Sequence, residues 1–192
     1  LTFHYPTKEH LLAVLVEMLC DFQWKMMERA VDEGASSLMA FCLELPTMAS
    51  ICEENSVAKE FYLSAYTHYM TLEIIRKNDR FRARQVFGDY CKDWKAEHFI
   101  EAEDLVSGIE YTTLMTTPSS MELDLRVCGA LGAILQIYGV PEEERRRHIQ
   151  RVRQMDYRTL GRKVLRDFIQ YVQGISETDL ESLLRRQQWK EK

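Results

Sequence analysis

The chain has 192 residues, 46% of them hydrophobic and 29% charged, with 8 Gly and 4 Pro, proportions that exclude a disordered or a fibrous chain. At roughly 150 residues per domain the length allows one domain or two small ones, and about 70% of the unfolded surface can be buried without disulfide staples. The net charge of −5 is unevenly spread: residues 1–140 hold 12 Lys and Arg against 21 Asp and Glu, residues 141–172 hold 9 against 5, and residues 173–192 hold 4 against 4. An acidic body repels phosphates, so residues 1–140 by themselves do not form a nucleic-acid surface.

The five cysteines, Cys20, Cys42, Cys52, Cys91 and Cys128, are widely spaced within apolar stretches and read as reduced core thiols. No Cys-x-x-Cys pair exists to make a zinc ribbon. The longest apolar runs, 11–16 and 129–135, are far shorter than the roughly 18 residues a membrane span needs, and no segment has a signal-peptide pattern. These features predict a cytoplasmic protein with no membrane partner.

Helix signals recur along the chain, while strand alternation and Asn-Gly or Asp-Gly hairpin turns are missing. Thr7 is placed to cap a long helix over 7–34, with Leu11, Leu12, Leu15, Met18, Leu19, Phe22 and Met26 at helical spacing and Gly34 at its end. At about 1.5 Å per residue that helix is about 40 Å long, enough to connect two units. A second helix starts near Ser36 or Ser37, and Pro46 is expected to bend or end it at Leu45. Asn55 caps a third, running to about Lys77, and Asp79 caps the next. The stretch 80–117 reads as two helices with an irregular joint near 94–97, ended by Pro118.

Ser119, Ser120, Met121 and Glu122 form a capping-box pattern for a helix to Gly139, with Pro141 as the first residue of the helix that follows. Asp156 and Ser176 read as further caps, with Gly174 ending the helix between them. The sum is an all-α fold of eight to nine helices. The helix over 121–138 is apolar on more than one face, so it must be covered on both sides, either as a central core helix or also at a homodimer interface. In residues 142–147 each acid has a base three or four residues on, the pattern of a solvated helix face.

The first residues are Leu1-Thr2-Phe3-His4-Tyr5-Pro6-Thr7-Lys8-Glu9-His10-Leu11-Leu12. They resemble the junction between the recognition helix and the long connecting helix of TetR-family transcriptional regulators, approximately Leu-Tyr-Tyr-His-Phe-Pro-Ser-Lys-Glu-x-Leu-Leu. The resemblance implies a homodimeric DNA-binding regulator, a repressor by type, whose affinity for operator DNA is controlled by a small-molecule effector. It divides the chain into 1–6, the end of a recognition helix whose helix-turn-helix lies mostly before Leu1; 7–34, the connecting helix; and 35–192, the sensing and dimerisation domain.

By the same resemblance Thr2, Phe3, His4 and Lys8 contact DNA, chiefly its backbone. A lysine beside a helix N-terminus adds full charge to the partial charge of free N–H groups. Thr2 stands where the family usually has Tyr; it can donate to a phosphate but lacks the ring.

Signatures of catalysis are missing: no Gly-rich phosphate loop, Gly-x-Ser-x-Gly elbow or His-Glu-x-x-His occurs, so no enzyme and no cofactor is expected. Glu97, His98, Glu101, Glu103 and Asp104 come closest to a metal cluster. A carboxylate-bridged site would require a second Glu-x-x-His, which neither His68 nor His148 supplies, so the cluster reads as an exposed acidic face. The aromatic and polar residues Tyr62, Tyr66, Tyr69, Tyr90, Trp94, His98 and Tyr111 can supply the apolar walls and polar handles of an effector pocket between helices of 55–117, or simply pack the core. The family places its inducer pocket in the corresponding helices. Leu125, Cys128, Gly129, Gly132, Leu165 and Phe168 are the expected dimer contacts. The alternatives are a helical interaction protein without DNA function and a carboxylate-metal helical enzyme.

Overall fold

Nine helices follow one another in the computed structural model, which describes residues 7–31, 36–116 and 122–190, the last four as backbone only; among these residues there is no strand. The fold is all-α. No described helix is long and apolar enough to cross a membrane.

Local chemistry sets most of the boundaries. Helix α1 (Lys8–Ala30) starts where the Thr7 side chain accepts from the backbone N–H of His10, while His10 Nδ1 accepts from the Thr7 N–H. Helix α2 (Ser37–Glu54) ends at Asn55, whose side chain accepts from Ala58 N and so opens α3 (Ser56–Thr67). Helix α4 (Tyr69–Phe87) follows after a single-residue break at His68, and α5 (Ala96–Met115) follows an irregular joint that contains Trp94. Helix α6 (Leu123–Ile137) closes at Gly139, whose φ of 72° lies in the left-handed region that glycine occupies without strain. Then come α7 (Glu142–Gln154), α8 (Tyr157–Gln173), capped by Asp156, and α9 (Glu177–Lys190), with Ser176 accepting from Asp179 N. Gly34 and the capping-box residues Ser119, Ser120 and Met121 lie outside the described residues; Glu122 is the N-cap but makes no side-chain cap bond.

Several expectations are corrected. Of the two expectations for Pro46, a bend or an end, the end is ruled out: α2 runs through it, with 13 of its 18 residues buried. Pro46 has no N–H to give to the Cys42 carbonyl one turn back, and burial of most of the helix outweighs that lost bond. The helix begun by Asn55 stops at Thr67 instead of continuing to Lys77, and Asp79 lies inside α4 instead of capping it. Pro141 is the N-cap of α7, one position before the helix proper.

A further correction concerns the centre of the molecule. It is occupied by α2, which packs against α1 and α3 to α8, and not by the helix of 121–138. Helix α6 buries Leu123, Val127, Ala130, Leu131, Ile134 and Leu135 on one face, and within this chain its other face, with Leu125 and Gly129, stays open to solvent. The buried face of α1 is also rotated from the predicted stripe. Ala13, Val14, Val16, Leu19, Gln23, Met26 and Met27 point inward, and Leu11 is exposed, because α1 meets α2 and α4 on one flank and α8 and α9 on another.

Candidate functional site

The aromatic helix α3 brings two of the predicted pocket residues together. Tyr62 and Tyr66, four positions apart and so on one face, line a cavity of about 40 Å³ enclosed by α1 to α5. At roughly 10–15 Å³ per water that is space for about three. Its apolar walls include Leu19, Phe41, Met48, Phe61 and Val106.

The polar side of the cavity is unusual for a core. Glu44 of α2, Asp79 of α4, and Glu103 and Glu110 of α5 all line it, against the single lining cation Arg82. Arg82 is fully engaged elsewhere in the cluster. Its guanidinium donates to Glu44 Oε1 at 3.2 Å and to the Cys20 carbonyl, and stacks 4.8 Å from the centroid of Trp24. Glu44 Oε1 also accepts from Gln23 Nε2 at 2.9 Å, and Gln23 Oε1 accepts from the Tyr62 hydroxyl at 2.9 Å. Tyr66 donates to Glu110 Oε2 at 2.8 Å, and Tyr138 donates to Glu103 Oε1. The remaining oxygen, Glu103 Oε2, is buried and has no partner.

Burial at such a density of acids disfavours their charged forms. It pushes the Glu103 carboxyl up to about 7, against the Tyr138 hydrogen bond, which favours the anion. Burial first, and mutual repulsion second, raise Asp79 and Glu110 well above the usual carboxylate range. The same burial raises the hydroxyls of Tyr62 and Tyr66. The chamber is therefore short of positive charge.

The other predicted pocket residues are dispersed. Tyr111 is partly buried, its ring 6.4 Å from that of Tyr66. Tyr69 is 80% exposed, on the outer face of α4. Tyr90 donates to Glu144 of α7 at 2.7 Å; Trp94 and His98 lie with ring centres 6.0 Å apart at the start of α5, Trp94 packing on Phe99 and Tyr138. These three do not line the chamber.

Thr2, Phe3 and His4 lie outside the described residues, and Lys8 is exposed on the first turn of α1. Among the expected dimer contacts, Leu125 and Gly129 are exposed, Cys128 and Gly132 are partly buried, and Leu165 is partly buried against the core. Phe168 packs within the chain, its ring 5.5 Å from that of Phe22.

The acidic face predicted at 97–104 is divided: Glu97, His98, Glu101 and Asp104 are exposed, but Glu103 is 1% exposed and turned inward. The signal that locates it is phase. Glu103 and Glu110 are seven residues apart, on the helix face that also carries Phe99, Ala102, Val106 and Leu114. Among the described residues no three His, Cys, Asp or Glu side chains converge closely enough to hold a metal ion. Comparison of the chain with protein-family models, with characterised proteins and with solved structures finds no match to it.

Proposed function

We propose that this chain is the sensing and dimerisation part of a homodimeric, cytoplasmic DNA-binding regulator of TetR type, whose affinity for operator DNA is set by a small molecule in the chamber between α1 and α5. One observation supports the coupling. Helix α1 begins at Thr7, directly after the residues that resemble a recognition-helix end, and its Leu19, Cys20 and Gln23 form one wall of the chamber. Gln23 is tied by hydrogen bonds to Tyr62 and Glu44, so a ligand that rearranges those groups acts on the helix leading to the DNA. The mechanism is a population shift: the ligand favours a dimer geometry whose recognition helices no longer match two half-sites one DNA turn apart.

Fluorescence anisotropy of the full-length protein on DNA from its own upstream region, at several salt concentrations, tests this reading. The expected result is tight binding with a steep salt slope and preference over unrelated DNA. Binding that is absent or indifferent to sequence overturns it. The second reading, a helical interaction protein without DNA function, is favoured by the open face of α6 beside α5, where Leu105 is 60% and Leu125 58% exposed. That reading predicts that no helix-turn-helix is encoded upstream of Leu1.

A further inference from the structure

The chamber is built to complete a carboxylate. Glu103 lines the cavity and is 1% exposed; one of its oxygens accepts from Tyr138, and the other is buried with no donor among the described residues. A buried acceptor without a partner is costly, and a charged donor is the strongest one it can find. Two of the cations near it are committed to other acceptors. Arg82 serves Glu44 and the Cys20 carbonyl, and Arg76 reaches outward to Asp104 at 3.2 Å and Glu73 at 3.4 Å. The other groups that act on Glu103 from the packed elements are Asp79 and Arg80 of α4, Asp104 and Glu110 of α5, and Tyr138. Aromatic rings of Tyr62 and Tyr66 complete the wall, as suits a cation bearing N–H donors, whereas the carboxylates do not converge as metal ligands.

Size divides the ligand into a head and a body. The chamber has room for little more than an ammonium group, but Leu19, Phe61 and Tyr62 also line a second, apolar cavity of about 320 Å³ between α1, α2, α3 and α8. We infer that the effector is an alkylammonium, its head donating to Glu103 Oε2 in the polar chamber and its apolar body reaching the adjoining cavity by displacing the Leu19, Phe61 and Tyr62 side chains that separate the two. This inference rests on the reading of the chain as a ligand sensor and names the chemical class it senses.

Isothermal titration calorimetry of the whole chain with three probes of one shape, n-hexylammonium, 1-hexanol and hexanoate, tests it. Hexylammonium is expected to bind at least about tenfold more tightly than either of the others. Glu103→Gln, which keeps the shape and removes the charge, is expected to erase that preference. Should the variant fail to fold, the unmodified chain still decides. Equal binding of hexanol overturns the ammonium site, as does no binding of any probe. Hexylammonium binding that leaves the full-length protein's DNA affinity unchanged overturns the regulator reading and leaves the cation site standing.

Discussion

Gly161 of α8 lies against Ser50 of α2 so closely that a Cβ at position 161 would lie 2.5 Å from Ser50 Oγ and 3.2 Å from the Thr47 carbonyl. The Ser50 hydroxyl has little freedom to retreat, since it donates to Thr47 O at 2.8 Å. Gly161→Ala is expected to cost about 1–3 kcal/mol through overpacking, lowering Tm by roughly 2–4 °C for each kcal/mol. Combining it with Ser50→Ala should recover part of that loss. Thermal unfolding followed by circular dichroism checks this, and a double variant no more stable than Gly161→Ala alone would show that the contact is not the cause.

Arg82 is the one lining cation among the four lining carboxylates, and its side chain is 6% exposed. Arg82→Met keeps much of the volume but leaves Glu44 without its counter-charge, and the expected loss is about 3–5 kcal/mol in urea unfolding. A loss below about 1 kcal/mol would mean that the acids are accommodated without it.

The raised Glu103 carboxyl gives stability a definite pH direction. Its folded value, about 7, lies above the ordinary 4.5, so the folded chain holds a proton that the unfolded chain has released. The contribution is complete below the unfolded value and is lost as pH rises through the folded one. Relative to Glu103→Gln, the unmodified chain is expected to lose about 3 kcal/mol between about pH 5 and pH 8, at 1.36 kcal/mol per unit. Parallel pH profiles of the two proteins would sink the assignment. Asp79 and Glu110 act in the same sense and are raised in part by Glu103, so their rise is reduced in the variant and adds to the difference; the exposed Asp156 and half-buried Asp167, held low by hydrogen bonds, act oppositely and cancel in the comparison.

Leu125 is 58% exposed on the open face of α6, and a Cβ added at Gly129 would meet nothing within 4 Å. If the homodimer uses this face, Leu125→Glu places a charge in the interface and dissociates it with little change in the stability of the monomer. Sedimentation velocity checks it. A variant that remains dimeric moves the interface elsewhere.

The helix ends were legible because their chemistry is local. Thr7, Asn55, Asp156 and Ser176 cap through their own side chains within three residues, and Gly139 takes a φ that its lack of a Cβ permits wherever the helix sits. Pro46 misled because a helix interior buried on every side compensates a missing hydrogen bond, and only packing shows that it is so buried. Asp79 misled because a residue type suited to capping was also suited to a buried polar cluster assembled by four other helices.

The candidate site follows the same division. Tyr62 and Tyr66 share a helix face by spacing alone, and so do Glu103 and Glu110, which makes each pair readable from one segment. Their meeting is not readable in that way. Residues from α1 to α5, up to 94 positions apart between Val16 and Glu110, come together in one cavity. Amino-acid order determined the all-α class and the caps, because helix periodicity and hydrogen-bond competition act over a few residues. Only tertiary packing decided which carboxylates left water, because the cost of burying a charge depends on what surrounds it, and here Glu103 is left with an oxygen that no group among the described residues satisfies.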